Sequence, residues 1–273
     1  MPYRLIVSDM DDTLLNEQGL LSEETVRAIA LAKEKGAGIV LASGRMPRSM
    51  SIFARQLALT LPMICYNGAM LFDPVRQEII HSFPIEKELA LELIEFCEAR
   101  SLRIQAYEGD CFLTPADDAV ARAYRTSLNN LPQMYVTGKP LSQCDIKPQP
   151  KLLLIDQPER IRELLPIFQR HFEGRLICTI SRPQYIEFIS PKAGKERALE
   201  ELCRRLNIPP QEVIAFGDGL NDAGMLRFAG LGCAMANARE EVRAQADLIA
   251  PSNRENGAAQ IIMRLLAEEK IGG

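Results

Sequence analysis

Short runs of apolar or small residues punctuate the two ends of the chain: Leu5-Ile6-Val7-Ser8, Gly38-Ile39-Val40-Leu41-Ala42 and Val213-Ile214-Ala215-Phe216. Runs this short, with no polar alternation, fit strands buried on both faces of a parallel sheet. Helical patterns separate them. Ser22 caps a helix whose first turn holds Glu23 and Glu24, whose apolar side holds Val26, Ile29 and Ala30, and which Gly36 stops. Pro47 opens a second helix directly after the second strand. Further on, a helix opened by Gly194-Lys195 carries Ala198, Leu199, Leu202 and Leu206 on one side. After the third apolar strand come a helix with Met225, Leu226 and Phe228, a strand over 231–235, a helix over 239–246, a strand over 248–250 and a helix over 257–268. Strands joined by helices in this way read as right-handed crossover units.

The middle of the chain has a different texture. Met63-Ile64-Cys65-Tyr66 and Ala69-Met70-Leu71-Phe72 read as a hairpin closed by a tight Asn67-Gly68 turn, with a third strand over 78–83. From Pro84 shorter strands alternate with helices: helix 86–100, strands 103–107 and 110–113, and helix 116–126. A loop-rich stretch from Asn129 to Pro150 contains four prolines. Strand 151–155, helix 158–172 and a hairpin of 176–181 with 185–189, turning at Arg182-Pro183, complete this region. The chain therefore reads as an α/β protein in which one parallel-sheet domain is interrupted by an inserted α+β domain.

Composition narrows the classes. A hydrophobic share of 47% is that of an ordinary globular protein. A net charge of −4 with scattered basic residues leaves no footprint for nucleic acid or an anionic membrane. No apolar run approaches the length of a membrane span, and the N-terminus enters a strand pattern without the order of a signal peptide. Seven cysteines at wide, irregular intervals, with no C-x-x-C pair, argue against a disulfide framework and a zinc site and fit buried thiols in a reducing, cytoplasmic compartment. His81 and His171 lie outside every acidic cluster and read as solvated side chains.

Chemistry gathers at the ends of the apolar strands. The first ends in Asp9 and Asp11, the second in Ser43-Gly44-Arg45, the third in Gly217-Asp218-Gly219-Leu220-Asn221-Asp222. Each taken alone has a bland reading: solvent-facing acids, or an ordinary strand-to-helix turn. In an open parallel sheet, however, all three fall on the carboxyl edge where ligands bind. Four carboxylates in one crevice need positive charge, which a hard divalent cation with oxygen ligands, Mg²⁺ where phosphate also binds, and Lys195 would supply. A protonated Asp11 would relieve the remaining excess and hold a proton for a leaving oxygen.

At this point the order and spacing of Asp9-Met10-Asp11-Asp12-Thr13-Leu14-Leu15, Ser43-Gly44-Arg45, Lys195 and Gly217 to Asp222 resemble the four motifs of the haloacid dehalogenase-like hydrolases. The Asn67-Gly68-Ala69 triplet and the insert between the second and third motifs resemble the Cof-type subfamily with the larger α/β cap. The resemblance implies a Rossmann-like core, residues 1–83 and 190–273, and an inserted α/β cap, residues 84–189. It implies a Mg²⁺-dependent phosphatase acting on a small phosphorylated metabolite, a sugar phosphate or a nucleotide-like or cofactor-like phosphate. Asp9 would attack phosphorus to give an aspartyl-phosphate, and Asp11 would protonate the leaving alcohol and then activate water. The carboxylates of Asp9 and Asp218 and the backbone carbonyl of Asp11 would hold Mg²⁺, with Asp222 in support. The amide of Met10, Ser43 with Gly44, Lys195 and Asn221 would hold the phosphate.

Asp12 and Glu196 stand where that family commonly has glycine, and aspartate tolerates a left-handed turn better than most residues. Lys192 is a second choice for the third-motif lysine. A phosphotransferase or phosphomutase with the same intermediate, and a non-catalytic metabolite-binding regulator, are the alternative functions. A monomer or weak homodimer without nucleic-acid or membrane partners is expected. Arg103, Tyr107, Arg182 and Tyr185 are substrate-selecting candidates by residue type alone, and a solvated surface role is the simpler reading of each.

Overall fold

The computed structural model describes residues 2–109, 111–127 and 133–273; Asp110, where a strand is expected to begin, and Asn129, where the loop-rich stretch begins, lie outside them. In chain order the first part runs β1 (Leu5–Ser8), α1 (Glu23–Glu34), β2 (Gly38–Leu41), α2 (Pro47–Gln56), β3 (Met63–Cys65), β4 (Met70–Asp73) and β5 (Glu78–Ser82). The middle part runs α3 (Lys87–Glu98), β6 (Ile104–Glu108), β7 (Cys111–Thr114), α4 (Ala119–Ser127), β8 (Gln133–Val136), β9 (Leu152–Ile155), α5 (Pro158–His171), β10 (Ile177–Arg182) and β11 (Tyr185–Ile189). The last part runs α6 (Lys195–Leu206), β12 (Val213–Gly217), α7 (Ala223–Phe228), β13 (Leu231–Met235), α8 (Glu240–Arg243), β14 (Leu248–Ala250) and α9 (Gly257–Ala267). These elements make two compact units, Met1–His81 with Gly194–Gly273, and Ser82–Ala193.

The first unit is built on a five-stranded sheet in the order β14-β13-β12-β1-β2, parallel throughout. Apolar residues occupy both faces of its central strands because helices cover both. Leu5, Val7, Val40, Val213 and Ala215 share one core with Ala198, Leu199, Leu202 and Cys203 of α6 and with Met225 and Leu226 of α7. By alternation Ile6 and Ile214, also fully buried, face the other side. Ser22 caps α1 as the sequence predicts, its hydroxyl accepting from the amide of Thr25 at 3.0 Å. A bridge from Ala42 to Ile64 joins β2 to a small antiparallel sheet, β3-β4-β5.

The second unit has a six-stranded sheet in the order β10-β11-β9-β6-β7-β8, antiparallel except for the β7–β8 pair. Ile104, Leu152, Leu154, Ile186 and Phe188 of this sheet share one core with Leu93 and Ile94 of α3 and Ile161 and Phe168 of α5. No helix among the described residues is long and apolar enough to cross a membrane.

Several local expectations differ from the structure. The Asn67-Gly68 link is not a two-residue turn: Tyr66, Asn67 and Gly68 all take positive φ, 52°, 54° and 90°, and β3 and β4 pair from Cys65 to Met70. The helix expected from 116 starts at Ala119, because a carboxylate oxygen of Asp118 accepts from the amides of Val120 and Ala121 and caps it there. The stretch expected to be loop-rich holds β8, which gains its register from β7 rather than from a pattern of its own. The helix expected over 239–246 keeps only Glu240–Arg243. Tyr107 and Tyr185 are buried, not solvated: their rings meet Tyr124 of α4, through a 2.6 Å hydroxyl pair for Tyr107 and an edge contact for Tyr185. Arg103 is likewise engaged, ion-paired with Asp118 and donating to Thr114. His81 is half-buried, and His171 is exposed but in tilted ring contact with Phe96.

Gly68 decides how the small sheet meets α6. A Cβ at this position would lie 2.1 Å from the carbonyl oxygen of Gly194, the residue before Lys195, and its φ of 90° already excludes most side chains. Gly68→Ala should therefore destabilise the protein by roughly 2–4 kcal/mol, combining overpacking with left-handed strain. Denaturant midpoints of the two proteins at equal m-value check this.

Candidate functional site

β1, β2 and β12 are neighbours, and their carboxyl ends carry the polar clusters. Pairing continues one residue past β1, with the amide of Asp9 donating to Phe216 at 2.9 Å. This places Asp9 beside the loop that follows β12. Asp9, Asp218 and Asp222 each offer one carboxylate oxygen, and the three oxygens lie within 4.8 Å of one another.

One cation meets this cluster from α6. The Nζ of Lys195 donates to Asp9 and to Asp222, each at 2.5 Å, and its side chain is fully buried. The other oxygen of Asp222 accepts from the amides of Asp218 and Gly219 at 3.1 and 2.9 Å, so this acid closes its own loop. Gly217 permits the closure, since a Cβ there would stand 2.4 Å from the Cβ of Asp222. Thr13 donates to Asp218 at 2.7 Å. Lys192, by contrast, is exposed and belongs to the second unit.

Three carboxylates against one ammonium leave excess negative charge in a largely buried place. Burial pushes the carboxyl of Asp9 well above the usual range, opposed by Lys195 and reinforced by Asp222. Burial likewise pushes Asp218 up to about 6, opposed by the Thr13 hydrogen bond and reinforced by Asp222. For Lys195 burial works against charge, yet Asp222 and Asp9 outweigh it and hold the ammonium protonated above its ordinary value. A set of hard oxygen donors with surplus negative charge suits a divalent cation of the Mg²⁺ or Ca²⁺ kind.

The remaining sequence-named residues are placed as follows. Met10 is fully buried, its carbonyl accepting from Leu14 and Leu15 at 3.0 and 2.8 Å. Asp12 takes φ 58°, a left-handed turn that aspartate tolerates better than most residues. The carboxylate of Asp11 lies outside the acidic trio and is held by a two-pronged contact with Arg45, at 2.8 and 2.6 Å. Ser43 is buried, its hydroxyl accepting from the amide of Arg45 at 3.2 Å. Gly44 lies against the carboxamide of Asn67, and Asn221 donates to that carboxamide at 2.9 Å. Thr13 and Arg45 carry no role of their own in the motifs as read along the chain; their position inside the acidic and Ser-Gly motifs is the one signal for their contacts with Asp218 and Asp11.

A family model for haloacid dehalogenase-like hydrolases matches residues 6–262. Phosphatase YwpJ of Bacillus subtilis (strain 168) is 29% identical over 285 aligned positions, covering 96% of this chain and 100% of its own. Pyridoxal phosphate phosphatase YbhA of Escherichia coli (strain K12) is 28% identical, covering 96% of this chain and 98% of its own. Among solved structures, a haloacid dehalogenase-like hydrolase from Bacteroides thetaiotaomicron matches with a TM-score of 0.87 at 29% identity, covering 96% of this chain and 99% of its own. The chain belongs to the haloacid dehalogenase-like hydrolases. It is accordingly an enzyme, with an α/β fold of that family's kind.

The raised acids set a direction for pH dependence. A carboxyl whose folded pKa exceeds its unfolded value near 3.8 contributes stability that is complete below that value and lost as pH rises through the folded pKa. In chelator, Asp218→Asn should therefore gain in thermal midpoint relative to the unsubstituted protein as pH rises from about 4 to about 7. Excess divalent cation should erase that advantage. Melting curves across pH, with and without cation, read both.

Proposed function

We propose that this phosphatase hydrolyses the monoester of a small phosphorylated metabolite, a sugar phosphate or a nucleotide-like or cofactor-like phosphate. Asp9 is the nucleophile, Asp11 the acid and base, and Mg²⁺ the cofactor. The observation that carries the reading is the meeting of Asp9, Asp218 and Asp222 with the buried ammonium of Lys195 at the carboxyl edge of a parallel sheet. Phosphoryl transfer asks for such a set: an oxygen nucleophile, charge neutralisation and fixed donors.

A carboxylate oxygen of Asp9 attacks phosphorus, and the ester oxygen leaves with a proton from Asp11. The resulting acyl phosphate on Asp9 is then cleaved by water, whose proton returns to Asp11. Arg45 grips both oxygens of Asp11 in the structure, so proton transfer requires the guanidinium to yield at least one of them. Lys195, Ser43, the Gly44 backbone, the Met10 amide and Asn221 are the proposed holders of the phosphoryl oxygens. Mg²⁺, held by Asp9, Asp218 and the backbone carbonyl of Asp11 with support from Asp222, would supply charge neutralisation for the transferring group. Seven cysteines without a disulfide among them agree with a reducing, cytoplasmic setting.

Purified protein with Mg²⁺ should release phosphate from p-nitrophenyl phosphate, and Asp9→Asn should lower this by on the order of 10³-fold or more. Asp11→Asn should lower kcat by about 10²- to 10⁴-fold, since it removes proton transfer while leaving the attacking group. A panel of metabolite esters that includes pyridoxal phosphate, after the name of the Escherichia coli relative, identifies the substrate class. Free phosphate as the product excludes a mutase, and inertness across the panel sinks the reading.

A further inference from the structure

The Tyr66-Asn67-Gly68 turn has a construction that a hairpin link does not need. Three successive residues take left-handed backbone, two of them not glycine, and Tyr66 does so while fully buried. Such conformations persist only where surrounding contacts hold them. Here the amide of Asn67 donates to the carbonyl of Ser43 and the amide of Tyr66 to that of Arg45, both at 3.0 Å. Gly68 abuts the Gly194 carbonyl just before Lys195. The side chain of Asn67 lies over Gly44, where a Cβ would stand 3.0 Å from both its carboxamide heteroatoms.

The carboxamide also meets Asn221. Its Oδ1 accepts from Nδ2 of Asn221 at 2.9 Å, while Oδ1 of Asn221 turns toward Gly219, 2.3 Å from where a Cβ would be. An asparagine amide can face either way, and only its N–H side attracts an anion. The acceptor on Asn67 selects that orientation, engaging one Nδ2 hydrogen and leaving the second for an anionic oxygen. We propose that Asn67 is a positioning residue that fixes the amide of Asn221 with its N–H side towards the phosphoryl group. The inference rests on Asn221 being a phosphate holder, as in the preceding reading.

The test is a cycle of variants read with p-nitrophenyl phosphate as substrate and inorganic phosphate as competing anion. Asn221→Ala should raise KM and the inhibition constant of phosphate by about tenfold, the loss of one hydrogen bond to a charged group. Asn67→Gly keeps the left-handed backbone and deletes the carboxamide. It should raise both constants several-fold with kcat held within about twofold, the signature of lost uniform binding. In the Asn67→Gly background, Asn221→Ala should add little. In the Asn67→Asp background, where an acceptor remains, Asn221→Ala should keep its full penalty.

Penalties that multiply in the double variant, constants untouched by Asn67→Gly, or loss of the Asn221 penalty in Asn67→Asp would each overturn the assignment. A wild-type protein inert towards every ester fails the hydrolytic reading instead. The same cycle then reads from phosphate affinity by calorimetry, with the same outcomes supporting or overturning the role of Asn67.

Discussion

One buried ammonium holds the acidic edge of this protein together. Lys195 stands at the first position of α6 and touches Asp9, which follows β1, and Asp222, which precedes α7. A fully buried lysine is tolerable only if its charge is answered, and buried acids only if theirs are. Each therefore makes the others possible. Strand order supplies the geometry: β12 lies beside β1, so the loop after one strand faces the tip of the other. The position of α6 is set in turn by its apolar side packed on the sheet, and its start lies close against Gly68. Removing the cation would leave two buried carboxylates close together, and removing either acid would loosen the start of the helix.

The acids are not equivalent, and their surroundings divide them. Asp222 has both oxygens committed, one to Lys195 and the other to two backbone amides, which makes it a brace for the loop as much as a charge. Asp9 keeps its carboxyl in a buried, electrically crowded place that favours a partner of opposite charge. Asp11, two residues on, sits half-exposed under an arginine fork. A short motif thus hands its two acids to opposite environments, the arrangement by which a protein can ask neighbouring carboxyl groups for different chemistry.

Much of this was readable from the residues because the signals were local and strong. The strands β1, β2 and β12 are built of apolar or small residues, as burial on two faces demands, and charged residues or the Ser-Gly turn begin where each strand ends. The left-handed backbone of Asp12 follows from the tolerance of aspartate for such turns. What escaped depends on partners remote in the chain. Strand β8 is defined by its ladder with β7, not by alternation, and the burial of Tyr107 and Tyr185 depends on Tyr124 arriving from α4. Arg45 and Asn67 look like a loop cation and a turn residue until the fold brings Asp11 and Asn221 to them. That Asp9, Asp218 and Asp222 meet could be argued from strand ends alone; Lys195 opens a helix instead, and Lys192 competed with it until the fold set one beside the acids and the other on the surface.

The placement of β1 at the middle of its sheet also has a consequence for biosynthesis. Its β2 neighbour is close in the chain, but its β12 neighbour is not: the Arg4–Glu212 ion pair at that junction spans 208 positions. Until β12 is made, β1 presents an unpaired backbone edge of the kind that invites mispairing. The intervening unit is one continuous segment with its own core, so it can close while the sheet around it is still open. Translation thus delivers a nested module before its host is complete. A polypeptide stalled before residue 195 carries Asp9 without its cation, and the acidic cluster comes into being only as the final third of the chain folds back.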